Sequence, residues 1–130
     1  MVKTMAIIFG IVFLAVGILG FVPGATTDMN GMAMLLGIFH VNTAHNFVHL
    51  ASGLVFLLCG FAGAGPSRMF FRIFGAVYAL VAILGFLKPE GPILGVIANN
   101  MPDVWLHVVL AAAMLFLGFL APTDRATATT

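Results

Sequence analysis

The chain is 130 residues long, 62% hydrophobic and only 7% charged, with a mean hydropathy of +1.20. That is more apolar surface than a small water-soluble domain can bury, so the lipid bilayer is the expected partner. A net charge of +1 offers no basic face to nucleic acid, and the lone Cys59 excludes an intramolecular disulfide or a CxxC redox motif.

Met5 to Val22 is an uninterrupted apolar run of 18 residues behind Lys3, which at ~1.5 Å per residue crosses most of the hydrocarbon core. The apolar region of a signal peptide is normally ~7 to 15 residues, so a retained first transmembrane helix is expected. Pro23 to Gly31 reads as a loop by its breakers, and Met32 to Val41 as a short interfacial or re-entrant piece. A second span is expected over roughly Thr43 to Gly63, a tight turn over Ala64-Gly65-Pro66-Ser67-Arg68, and a third span over Met69 to Leu87. Lys88-Pro89-Glu90-Gly91-Pro92 breaks the chain, a fourth span covers about Asp103 to Ala121, and residues 122–130 form a polar tail frayed at the end of the chain.

The second half echoes the first. Ile8-Phe9-Gly10 matches Ile73-Phe74-Gly75, and Ile18-Leu19-Gly20-Phe21 matches Ile83-Leu84-Gly85-Phe86, at an offset of 65. Gly37, Asn42, His45, Phe47 and His49 match Gly95, Asn100, Asp103, Trp105 and His107 at an offset of 58. The expected fold is therefore all-α: a four-helix transmembrane bundle built from two tandem helical hairpins, about residues 5–63 and 69–121, in one membrane domain spanning residues 1–130. Each hairpin crosses twice, so the repeat is parallel, with a pseudo-two-fold axis along the membrane normal. Lys3, Arg68, Arg72 and Arg125 fall on one side, and Lys88 with Asp28, Glu90 and Asp103 on the other. The positive-inside rule then puts both termini in the cytoplasm. Gly10, Gly17, Gly20, Gly53, Gly60, Gly75, Gly85 and Gly118 are small positions where helix backbones can approach in lipid.

Chemistry concentrates in the stretch from Phe39 to Leu50, which holds three of the four histidines. On a helix, Asn42, His45, Asn46 and His49 stack on one face over two turns. His45 with His49 and Asp103 with His107 are both i, i+4 pairs, and repeat symmetry turned toward the axis would converge them into three imidazoles and one carboxylate. Such a set suits zinc, iron or copper. His49 and His107 could alternatively supply the two axial ligands of a b-type haem, or Asp103 and a histidine could pass a proton. The structural alternative is a polar clasp in which these groups hydrogen-bond one another, with Asn42 and Asn100 as N-caps and Asp103 favoured by the helix dipole. His40 is expected to be a solvated interface residue, Phe47 and Trp105 part of an aromatic belt, and the Tyr78 hydroxyl to bond the cluster or a backbone carbonyl.

The pattern Gly37-Ile38-Phe39-x-Val41-Asn42-x-x-His45-Asn46-x-Val48-His49-Leu50, followed by Asn100-x-x-Asp103-x-Trp105-Leu106-His107, resembles a family of small four-helix bacterial membrane proteins known as a domain of unknown function. The resemblance runs from about Ile8 to Phe119 and implies a four-span bacterial inner-membrane protein, without bringing an activity, cofactor or catalytic residue. The expectation is thus a non-enzymatic membrane protein whose cluster of His45, His49, Asp103 and His107, supported by Asn42, Asn46 and Asn100, binds a transition metal or haem. The rival is a structural or accessory subunit of a larger membrane complex, or a homo-oligomer, with the cluster only a clasp. Nucleophilic catalysis lacks support, because no serine or cysteine lies beside the histidines in sequence.

Overall fold

The computed structural model describes residues 1–122; the C-terminal tail beyond Pro122, Arg125 included, lies outside the described residues. The chain folds as α1 (Val2–Leu19), three short strands β1 (Thr26–Met29), β2 (Met32–Leu35) and β3 (Phe39–Val41), then α2 (Thr43–Ala62), α3 (Ala64–Leu87) and α4 (Met101–Leu115), with a π-helical turn at Phe116–Leu120. α1, α2, α3, and α4 together with the π turn are each long and apolar enough to cross a membrane. Ile11, Leu58, Leu80 and Val109, one per helix, are more than half exposed, as expected of helices set in a lipid bilayer. The molecule is a multi-pass membrane protein.

α1 packs chiefly on α2, and α3 on α4. Glycines allow these contacts: a Cβ at Gly53 would lie 2.8 Å from the Leu14 backbone N and 2.9 Å from the Gly10 carbonyl O, and one at Gly118 would lie 2.9 Å from the Arg72 backbone N. Between the helices, in the half nearer the termini, sits an aromatic core centred on fully buried Phe56, with Phe70 at 4.6 Å and Phe71 at 5.2 Å between ring centroids. At this end Arg72 Nε–H donates to the Gly118 carbonyl and Arg68 to the carbonyls of Ala121 and Pro122, satisfying the carbonyls of the π-helical turn and the residues after it.

Two expectations are corrected. Residues 64–68 are not a tight turn but the first turn of α3. The reversal is made at Gly63, whose φ of +130° is open only to glycine, and Pro66 is tolerated because first-turn amides need no helical acceptor. The region from Thr26 to Val41, expected as a loop followed by an interfacial or re-entrant piece, forms an antiparallel sheet in the order β1-β2-β3. Its first hairpin turns through Asn30 (φ 59°) and Gly31 (φ 80°), with Met29 opposite Met32, and the Gly31 N–H donates to Asp28 Oδ1. Two successive positive φ values define the turn that matches strand twist.

Candidate functional site

Asn42 and Asn100 cap α2 and α4 from near-identical extended backbones (φ −145°, ψ 177° and φ −141°, ψ 177°). Each side-chain oxygen accepts from the amide three residues on, in His45 and Asp103 respectively. Each side-chain nitrogen then crosses to the other hairpin. Asn42 Nδ2 donates to the Val96 carbonyl at 2.8 Å, and Asn100 Nδ2 donates to the Ile38 carbonyl at 2.9 Å. The accepting loops match too: Leu36-Gly37 and Leu94-Gly95 both run through left-handed backbone, at φ 52°, 70° and 54°, 74°. Rings pair alike at this end, Phe21 with Phe47 at 5.5 Å and Phe86 with Trp105 at 5.3 Å. Phe47 and Trp105 are both more than half exposed, as an aromatic belt requires.

Asp103 completes a capping box with Asn100, its Oδ2 accepting the Asn100 N–H at 3.0 Å and also the His40 N–H at 3.2 Å. It thereby ties β3 of one hairpin to α4 of the other. The carboxylate oxygen expected among the ligands is thus engaged with two backbone amides. His40 is half-buried rather than freely solvated, and its carbonyl takes part through a 3.2 Å contact with His45 Nδ1.

His45, His49, Asp103 and His107 are all buried, between 2% and 6% exposed. His45 Nε2 and His49 Nε2 lie 3.1 Å apart with the rings stacked at 4.9 Å, and the His107 ring stands 6.2 Å from His45. A carbonyl only accepts, so the His45 Nδ1 contact with the His40 carbonyl fixes the proton on Nδ1 and leaves the Nε2 lone pair facing His49. His49 Nδ1 and His107 Nδ1 are buried with no hydrogen-bond partner. The histidine layer rests on the aromatic core, His49 against Phe13 at 5.1 Å and His107 edge-on to Tyr78 at 5.3 Å. A ring contact with His107 is thus how Tyr78 meets the cluster. Among the described residues, no three His, Cys, Asp or Glu groups are already gathered around one point as ion ligands.

Asn46 does not join the histidines; although buried, it turns toward α1, where its side chain would collide with any Cβ on Gly20. Sequence reasoning missed two participants, the His40 backbone and Asn99. Asn99 is 1% exposed, with Nδ2 3.4 Å from the carbonyls of Lys88 and Pro89. It also missed two cavities beside the cluster. The larger, about 250 Å³, is walled by His45, His49, His107 and Tyr78 with Ile93, Leu94 and Ile97; the smaller, about 110 Å³, by His45, His49 and Asp103 with Leu35, Leu36 and Phe39. The echo of Leu35-Leu36-Gly37 in Ile93-Leu94-Gly95 was the available signal.

Fold and site together define a class: a four-span helical membrane protein with buried imidazoles between its two hairpins, near the end that carries the sheet. The chain belongs to the family described as "Domain of unknown function (DUF4383)", whose model matches residues 3–120. Comparison with curated proteins and with solved structures returned no match.

Proposed function

We propose that this is a non-enzymatic protein of the bacterial inner membrane, with both termini cytoplasmic, that binds a transition-metal ion through His45, His49 and His107. The carrying observation is the 3.1 Å separation of His45 Nε2 and His49 Nε2. Two donors ~2.0–2.1 Å from one tetrahedral ion sit ~3.3 Å apart, so the i, i+4 pair is spaced for chelation before any ion arrives. The His40 carbonyl on His45 Nδ1 is the outer partner that a ligating imidazole needs, holding its lone pair at Nε2. His107 supplies the third donor by a side-chain rotation. Asp103 acts as a positioning residue, since its bond to the His40 N–H holds the strand whose carbonyl orients His45.

Imidazole donors suit zinc, copper or iron. Haem is the less supported ligand: pockets for drug-sized ligands measure roughly 300–1,000 Å³, whereas the larger cavity at the cluster is about 250 Å³. A tandem-hairpin repeat about an axis along the membrane normal is supported by the reciprocal bonds of Asn42 and Asn100 and by the paired Leu-Gly dihedrals. The orientation rests on Lys3, Arg68 and Arg72 gathering at the end opposite Lys88, Glu90 and Asp28.

A second reading, an accessory subunit in which the cluster only clasps the hairpins, is favoured by the engagement of Asp103 with backbone amides. Zinc competition against a chromophoric chelator, on untagged protein in mild detergent, separates the two. Ligation predicts one zinc per chain, at least ~100-fold weaker binding in His45→Ala, and ~10-fold weaker binding in Asp103→Ala. Protein that takes up no zinc, copper or iron, with His45→Ala changing only the melting temperature, leaves the clasp.

A further inference from the structure

Among the described residues, His49 Nδ1, His107 Nδ1 and Asn99 Oδ1 are the fully buried side-chain nitrogen and oxygen atoms without a hydrogen-bond partner. An unsatisfied polar atom of this kind marks strain or an unfilled role. Both histidines, with His45, line the cavity of about 250 Å³, and beside Tyr78 the rest of its wall is apolar, with Val48, Val77 and Val81 from α2 and α3 and Ile93, Leu94 and Ile97 from the loop before α4. Val48, Val77 and Leu94 are 40%, 43% and 79% exposed. In a membrane-spanning bundle that side faces acyl chains, so whatever enters arrives from the bilayer.

The tautomers define what the site accepts. With neutral imidazoles, His45 carries its proton on Nδ1, facing the His40 carbonyl. The proton in the 3.1 Å contact between the two Nε2 atoms therefore belongs to His49, and His49 Nδ1 is left as a bare acceptor. A bare acceptor takes a donor.

We infer that the cavity between α2, α3 and the Ile93–Ile97 loop binds a membrane-dissolved amphiphile bearing a hydroxyl group, of the phenol or quinol class, whose O–H donates to His49 Nδ1. This rests on the cluster being a binding site and concerns the metal-free chain, because a metal on His49 Nε2 leaves the ring proton on Nδ1, which then no longer accepts. An apolar wall with one or two convergent polar atoms is the usual composition of a small-molecule site. Tyr78, edge-on to His107 and itself part of the wall, presents an aromatic surface of the kind against which a second ring stacks. A ketone or ether oxygen, which only accepts, gains nothing at His49. Discrimination therefore favours the reduced, hydroxyl-bearing form of a quinol–quinone pair.

The test is a titration of the full chain, held in phosphatidylcholine nanodiscs with chelator present, by 4-octylphenol, its methyl ether and octylbenzene, read by the 15N resonances of the histidine rings. The expected result is a saturable shift of the His49 Nδ1 resonance with the phenol and no shift with the ether or the hydrocarbon. Val81→Phe, which fills the cavity from its apolar wall and replaces no histidine, abolishes the shift while leaving zinc uptake at one per chain. Equal shifts with the ether, no shift with any of the three, or an undiminished shift in Val81→Phe overturn the inference. None of these bears on zinc binding, which fails or holds separately through His45→Ala.

Discussion

Gly53→Val is expected to force α1 and α2 apart and to destabilise the bundle by about 3 kcal/mol. In lipid, helices are not driven together by the hydrophobic effect, so van der Waals contact between close backbones is what joins them. At Gly53 the obstruction to a side chain is backbone: a Cβ would lie 2.8 Å from Leu14 N and 2.9 Å from Gly10 O, and neither atom moves without shifting α1 as a whole. Valine adds two further carbons to that clash. Gly65→Ala, at a position with nothing within 4 Å of the added carbon, serves as the control and stays within ~0.5 kcal/mol of the parent. Thermal unfolding in mild detergent, followed by circular dichroism, reads both. A Gly53→Val protein that melts with the parent would mean that the two helices do not meet at this glycine.

Replacing Asn42 and Asn100 together by alanine is expected to cost about 3–4 kcal/mol. Each asparagine makes a cap worth ~1 kcal/mol and a hydrogen bond between hairpins worth ~1 kcal/mol, and the two share one joint. The double variant should therefore lose less than the sum of the singles, because the first substitution already loosens the joint. Asn42→Asp separates the two contributions: the carboxylate still caps His45 N–H, but no N–H remains to reach the Val96 carbonyl, so about half the single-alanine loss should persist. Denaturant titration in detergent measures the four variants against the parent. An Asn42→Asp variant as stable as the parent would show that the crossing bond contributes nothing, and strictly additive single losses would show that the two joints are independent.

The four spans were legible because apolar runs of about 20 residues have one favourable fate, and their ends were marked by Asn42, Asn100 and Pro102. The helix-facing glycines were legible as well, each lying where another helix comes close. The cluster could be read from the spacing of His45 and His49 and its echo in Asp103 and His107: the three histidines gather in one buried group, and Asp103 is buried beside them on the wall of the smaller cavity. The sheet was missed although Asn30-Gly31 is a strong short-range hairpin signal, because strands of three and four residues carry too little alternation to stand out beside long apolar helices. The turn at Gly63 was placed too late, since Pro66 reads as a breaker in isolation and as a first-turn residue only once the helix start is known. What the chain does not announce is direction. The composition of Asn46 and Asp103 places them with the histidines, but the packing of Gly20 draws Asn46 toward α1, and two free amides draw Asp103 Oδ2 onto backbone.

X-ray absorption on the chain loaded with zinc in mild detergent tests metal binding by the histidine cluster most directly. One zinc per chain with three imidazole nitrogens at ~2.0–2.1 Å is expected, falling to two imidazoles in His107→Ala. Zinc that washes out on dialysis, or a shell of oxygen scatterers unchanged in His45→Ala and His107→Ala, would contradict it and leave the buried histidines as a joint between hairpins.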